Sequence, residues 1–515
     1  MARTLPFLAG LLSVGLAFSL PMGADQRAFA AGILLEAHFD AGPDGFTYAD
    51  DTFRSSRQPS YESGTWVASG GFRGGALKVT LGGINNNSIL NMSGGWSRSF
   101  TLSAPTKVIV HFRGNLTQTS EYESDELSQL LVSVDGALRG IPPNDYLAQI
   151  VGDGNGGSAR TTGWRLFQVD LGTLAAGTHT LVIGGYNNKK TYNDESTTIL
   201  IDDVLLTEAT AAAQAAVAAL DFGRFKENIF ILASFGDRTQ GTLSNVNAGN
   251  WIEEQLRFAG YTVERHPYTY NGAPRDNIYA TKVGTVFPDE MYIVSAHMDG
   301  RGGGGAADDD ASGCSLVLEA ARALAPLQTA VSVRFIFWNN EETGLNGSAA
   351  YVQNRAGQRG VENPAGSGLY PEPRWLGIIQ HDMILYDHGL PPQPYQIPAA
   401  DLDVEYQTSS TFAGQSLALA TALQRGNAAY STRYPAQIGS NMRYTDSWSF
   451  RSYSAAVSVR ENQRVAEIGN GSNPNYHQAT DVYTAYSEDD FFFGFNAVQM
   501  TLGTVAEFSG VRITP

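Results

Sequence analysis

Apolar and polar positions along residues 32–208 alternate in short runs, as at 76–81, 107–112 and 130–134, with clusters of Gly, Asn, Asp and Ser between them. A period of two marks strands with one buried face, and many short strands joined by turns predict a β-sandwich. Residues 209–220 are rich in alanine and contain neither Gly nor Pro, so they read as a short helical connector rather than a flexible tether. Beyond it the rhythm changes. Residues 251–258 have helical spacing, 291–296 form a continuous apolar run, and helices at 315–327 and 347–353 alternate with strands at 331–338 and 376–380. A helix over 415–425, a strand over 455–459 and a closing helix over 491–508 follow. Apolar strands alternating with helices predict an α/β domain over 221–515, an open, mostly parallel sheet flanked by helices.

Length agrees with this division, since 515 residues exceed what one ordinary core organises. The 34 Lys and Arg against 51 Asp and Glu leave a net charge of -17, which argues against a nucleic-acid partner or an anionic membrane surface. The first thirty residues read as a signal peptide: Arg3 gives a positive start, 5–22 is apolar, and Ala28-Phe29-Ala30 is an A-x-A cleavage site. Pro21, Gly23 and Asp25 interrupt the apolar run and speak against a membrane anchor, so the mature chain is expected outside the cytoplasm, extracellular or periplasmic. Cys314 is the one cysteine, which excludes an intramolecular disulfide; at the start of an apolar helix it reads as a small buried side chain rather than a catalytic thiol.

In such a sheet, ligands gather at the carboxyl ends of the strands, and there the polar residues of this half collect. The run at 291–296 leads into His297, Met298 and Asp299, that at 331–338 into Asn339, Asn340, Glu341 and Glu342, and that at 376–380 into His381 and Asp382. Any one of these is an ordinary polar strand end, but three in one domain predict a shared site. A glycine run at 302–305 precedes Asp308, Asp309 and Asp310, which stand immediately before a helix. Like charges side by side repel, so a cation is expected among them, although Asp also suits a helix cap. His477 lies in a loop of Asn, Gly, Ser and Pro before the closing helix. His297, Asp309, Glu342, Asp382 and His477 make a mixed imidazole and carboxylate set suited to two zinc ions sharing one carboxylate, and a metal pair with a common water suits amide hydrolysis. Neighbours at a strand end point in different directions, so Glu341 and Glu342 can divide base and ligand duties, and His381 is not a ligand if Asp382 is.

His297-x-Asp299, the run 307–313, the run 340–344, His381-Asp382-Met383 and Tyr476-His477-x-x-x-Asp481 resemble, in order, the motifs of the secreted bacterial co-catalytic di-zinc aminopeptidases of leucyl type, over nearly all of 221–515. The resemblance implies that Asp309 bridges both metals, that His297 and Asp382 complete one ion, and that Glu342 and His477 complete the other. It implies Glu341 as general base toward a bridging water, Asp299 as the partner that orients His297, and hydrolysis of N-terminal residues from peptides. Tyr476 stands where some relatives have an oxyanion donor; an ordinary packing tyrosine is the alternative. Two departures bear on side-chain preference: Thr445-Asp446-Ser447-Trp448 stands where many relatives have Ser-Asp-His, and the disulfide of some relatives cannot form.

The run 197–206 resembles the last strand of jelly-roll modules found beside secreted hydrolases, many of which bind carbohydrate or calcium. Glu36, Asp40, Asp202 and Asp203 could hold a calcium ion in this front module, with solvated turn carboxylates as the alternative reading. Rival functions on the same fold are a zinc carboxypeptidase, which needs a basic residue for the substrate carboxylate, and a glutaminyl cyclase. From another class, a surface or carbohydrate-binding protein with a decayed catalytic half would have lost a ligand, and all five are present.

Overall fold

The structure, a computed structural model, describes residues 32–141, 143–154, 158–387, 402–431, 433–461 and 473–512. The expected signal peptide at 1–30 lies outside the described residues. The alternating runs of the front half fold into two antiparallel sheets of seven and six strands. In Ala76–Gly82 the side chains of Leu77, Val79 and Leu81 are buried while Lys78 and Thr80 are half-buried, and the inward set meets Phe112, Leu130 and Ile183 in one core shared by both sheets. The alanine-rich stretch forms the helix Thr210–Ala218, whose Ala212, Ala213 and Ala216 are buried in the core of the following domain. It is thus packed into that core as well as connecting to it.

The second domain is built on one eight-stranded sheet. Its strands are Val263–Tyr270 (β1), Ala273–Lys282 (β2), Phe287–His297 (β3), Val331–Trp338 (β4), Arg374–His381 (β5), Leu402–Tyr406 (β6), Ala436–Ser440 (β7) and Ala455–Arg460 (β8), in the order β1-β2-β4-β3-β5-β8-β6-β7. The sheet is mixed. β4, β3, β5 and β8 run parallel through the centre, but β1 and β2 form an antiparallel hairpin, β2 joins β4 antiparallel, and β6 runs against β8. The expectation of a mostly parallel sheet therefore holds only for the centre. β4 is buried at every position, as a strand covered on both faces must be, whereas the edge strand β1 buries little besides His266 and gives no continuous apolar run to read.

The sandwich rests on the amino ends of β3 and β4. Leu205 packs with Val286, Phe287, Ala330 and Val331, and the buried Arg113 places Nη2 2.5 Å from Asp289 Oδ1 and Nη1 3.0 Å from Glu290 Oε1. His111 Nε2 lies 3.0 Å from the Phe508 carbonyl oxygen, and Lys107 Nζ lies 2.5 Å from Glu507 Oε2.

Candidate metal centre

The opposite edge of the sheet carries the polar residues. His297 ends β3, Glu341 and Glu342 follow β4, and Asp382 follows β5. Asp309 stands just before the buried helix Ala311–Leu324, which Asp310 caps by accepting a hydrogen bond from Gly313 N. Of the three consecutive aspartates only Asp309 faces the centre. Asp310 also accepts from His297 N, and Asp308 accepts from Leu385 N and from Asn473 Nδ2. Asn340, Met383 and His477 adopt left-handed backbone with φ of 63°, 60° and 55°. Such non-glycine conformations are uncommon, and here each is at or beside a residue of the site.

His297 Nε2 lies 3.1 Å from Asp309 Oδ1 and 3.7 Å from Asp382 Oδ1. His477 Nε2 lies 3.2 Å from Asp309 Oδ2 and 2.9 Å from Glu342 Oε2. Asp309 thus turns one oxygen to each of two triads, His297–Asp309–Asp382 and Asp309–Glu342–His477, within each of which ligand-capable atoms lie within 4.8 Å of one another. His297 Nε2 and Glu342 Oε1 are buried without a hydrogen-bond partner. Ring nitrogens and carboxylate oxygens that converge without bonding to one another are the donor set that zinc takes, so these residues fit a pair of such ions.

Electrostatics agree. Burial opposes a charge on His297, but Asp310, Asp299, Asp309 and Asp382 outweigh it and hold the imidazole well above its usual range. Burial likewise opposes charge on His477, which Asp309 and Glu342 raise to about 9. Burial, reinforced by Asp309, pushes Glu342 up to about 7, and burial raises Glu341 well above the carboxylate range. Crowded carboxylates that resist ionisation this strongly are stabilised by a cation among them.

Asp299 is fully buried; its Oδ1 accepts from Glu341 N at 3.1 Å and its Oδ2 from Glu342 N at 3.2 Å. His297 Nδ1 meets the Asp299 backbone carbonyl at 3.1 Å, closer than the carboxylate oxygen at 3.7 Å. Asp299 therefore orients the ring chiefly through its main chain, turning Nε2 toward Asp309 and Asp382, while its carboxylate fixes the Glu341–Glu342 turn. Beside the ligands, a cleft of about 440 Å³ is lined by Glu341, Tyr476, Arg301 and Tyr444. The Tyr476 ring stacks on His477 with centroids 3.8 Å apart. His381 points elsewhere, as expected, with Nδ1 3.0 Å from the Ser295 carbonyl and Nε2 2.9 Å from Thr501 Oγ1.

Two residues at the site were given no role by the sequence reading. Arg460 is buried, places Nη2 3.4 Å from Asp382 Oδ2, and donates to the carbonyls of Arg443 and Tyr444 at 3.0 and 3.3 Å. Its one signal is an arginine closing an apolar strand. Asp446 is fully buried with neither carboxylate oxygen hydrogen-bonded, and burial, only partly opposed by His297, pushes it up to about 8. It sits in the segment that departs from the Ser-Asp-His pattern.

The four carboxylates read as a calcium set do not converge: among the described residues no ligand group contains Glu36, Asp40, Asp202 or Asp203. His38 supplies the reason, since its ring lies 3.3 Å from Glu36 Oε1 and 2.8 Å from Asp203 Oδ1 and neutralises both, while Asp202 accepts from the backbone of Arg73 and Asp203. Glu123, Glu126 and Glu195 do converge within 4.8 Å, brought together from distant turns that no local pattern links. Lys189 Nζ lies 3.3 Å from Glu126 Oε1.

Comparison with known proteins gives partial matches. Leupeptin-inactivating enzyme 1 of Streptomyces exfoliatus is 29% identical over 181 residues, 35% of this chain and 37% of that protein. An aminopeptidase of Pseudomonas aeruginosa is 36% identical over 102 residues, 20% of this chain and 18% of that protein. The chain thus spans little more than a third of the length of the first of these curated relatives and less of the second. Among solved structures, the LapA aminopeptidase of Legionella pneumophila superposes with a TM-score of 0.44 at 18% identity, covering 58% of this chain and 75% of that one. Residues 277–491, the segment that supplies every ligand of the two triads, match the model of peptidase family M28.

Proposed function

We propose that this chain is a zinc-dependent aminopeptidase that removes N-terminal residues from peptides at a pair of zinc ions. The observation that carries the reading is Asp309, which offers one oxygen to each of two His-carboxylate triads while Glu341 lines the same cleft. When bound, the ions would polarise the substrate carbonyl and make water acidic enough to attack near neutral pH. His297, Asp309 and Asp382 would hold one, and Asp309, Glu342 and His477 the other. The clustered carboxylates favour a substrate ammonium group over a carboxylate. Glu341 takes a proton from the attacking water as its oxygen adds to the carbonyl carbon, then delivers that proton to the amine nitrogen as the C–N bond breaks. Asp299 keeps Glu341 in place by accepting from its backbone N–H.

The same reading takes 1–30 as a signal peptide of an exported protein, 32–208 as a jelly-roll-like accessory module with carbohydrate as its ligand class, and 221–515 as the catalytic domain. Arg301 at the cleft gives a carboxypeptidase reading its one foothold, because a cation there could grip a substrate carboxylate.

Hydrolysis of a free aminoacyl-anilide panel that includes the leucyl compound, by the wild-type protein and by Glu341→Ala, tests the proposal with metal content measured alongside. The expected outcome is zinc-dependent release that falls about 10²–10⁴-fold in the variant while both ions stay bound. No release by a fully metallated wild-type protein, or release only from substrates with blocked amino termini, would overturn it.

A further inference from the structure

Beside the metal cleft lies a larger depression of about 780 Å³. Gly344 and Leu345 line both, so this pair alone forms the wall they share. The helix Asn346–Arg355 gives the depression an apolar side: Leu345, just before it, and Ala349 and Val352 within it follow one another at helical spacing. Trp448 and Tyr453 also line it, and Arg451 lies over the Trp448 ring at 3.9 Å. Ala349 is exposed, so no described residue covers that face at its middle.

We infer that this depression receives the part of a peptide substrate beyond the scissile bond and selects apolar side chains at the second and third residues past it. The inference rests on the aminopeptidase reading. With the substrate amine and first carbonyl held at the two triads, the rest of the peptide must leave the cleft, and the shared wall is where a second lined space adjoins it. Gly344, with φ +109° and only Asn346 Nδ2 near the position of an added Cβ, puts no side chain in the way of the crossing. An extended chain advances about 3.3 Å per residue, so its second and third residues past the bond lie about 7–10 Å on, the reach needed to pass over one or two residues of wall. An apolar side chain delivered there leaves water for Leu345, Ala349 and Trp448, which favours it over glycine by about tenfold or more.

The test is calorimetric binding of Leu-Gly-Phe-Phe and Leu-Gly-Gly-Gly to the zinc-loaded full chain carrying Glu341→Ala, where neither peptide is turned over appreciably. The phenylalanine peptide should bind at least about tenfold more tightly. Adding Ala349→Glu, an exposed position whose substitution leaves the core alone, should bring the two affinities within about twofold of each other. Equal affinities before Ala349→Glu is added, absence of binding by both peptides, or a tenfold preference that survives it would overturn the inference. Leucyl-anilide hydrolysis by the wild-type protein, measured separately, reports on the aminopeptidase reading, so either can fail without the other.

Discussion

Asp382 shows how much a single side chain depends on what stands behind it. Its Oδ1 faces His297 at 3.7 Å, whereas its Oδ2 faces the buried guanidinium of Arg460 at 3.4 Å. The carboxylate is therefore divided, one oxygen toward the first triad and one toward the arginine. Arg460→Met removes that division and the donors to the Arg443 and Tyr444 carbonyls. Zinc affinity of the first ion is expected to fall about 10–100-fold, with Arg460→Lys recovering part of it, as read by chelator competition. Equal chelator curves for all three proteins would show that Asp382 needs no such partner. The five converging side chains were legible in the sequence because most of them end an apolar run or abut a helix start, where a polar side chain has no core to serve. Arg460 and Asp446 were not, because position along a strand or turn does not say which neighbour a long or buried side chain will meet. The front-module carboxylates misled for a related reason: acidic residues can be counted in a sequence, but the imidazole of His38 that neutralises two of them is seen only in space.

At the scale of elements, the glycine run at 302–305 is a contact surface rather than a loose hinge. A Cβ on Gly302 would stand 2.5 Å from the His477 carbonyl carbon, and one on Gly304 would stand 2.9 Å from the Asp481 carbonyl oxygen, so the loop after β3 packs directly on the loop that carries His477. Gly302 also has φ +99°, which a side chain resists. Gly302→Ala should push the His477 loop away, costing about 1–3 kcal/mol of stability and weakening the ion held by Glu342 and His477 more than the other. A stepwise zinc titration checks this, and equal weakening of both ions would argue against it. Existence and type of the long elements were readable from their periodicity, and β4 begins and ends where its apolar run does. Helix starts were read late: the helix expected at 315 begins at Ala311, because Asp310 and the small residues after it give a capped first turn with no apolar face to detect. The β1–β2 hairpin was not seen at all, being half exposed and interrupted by Pro267 and Pro274.

The whole molecule behaves as one body because the sandwich and the sheet share buried charges. Arg113 from the sandwich pairs with Asp289 and Glu290 from β3, and without it Glu290 would keep only Arg374, at 3.2 Å. A fragment beginning at residue 209 should therefore melt well below the full chain and bind more of a hydrophobic dye, since Phe287 and Tyr292 would be uncovered; a fragment as stable as the full chain would show the contact to be incidental. The same interface predicts an acid limit. His111 is fully buried, and that burial lowers its pKa from 6.5 to about 4. The folded state thus holds a neutral ring that the unfolded chain would protonate, so its contribution is complete above pH 6.5 and is lost as pH falls toward 4. At about 1.4 kcal/mol per pH unit this amounts to about 3 kcal/mol, and His111→Gln should flatten the fall in melting temperature over that window. Parallel curves for the two proteins would assign the acid sensitivity elsewhere.

The seat of the sandwich also fixes its distance from the two triads. Glu290, at the Arg113 contact, and His297, in the first triad, lie on one strand, seven steps of about 3.3 Å apart, or about 23 Å. The sandwich meets the amino ends of the central strands and the two triads stand at their carboxyl ends, so a ligand seated at the sandwich contact would lie a strand's length from the cleft. On the aminopeptidase proposal, a molecule moored by its sandwich would cut only peptides that reach the far side of the sheet and would leave its own mooring uncut.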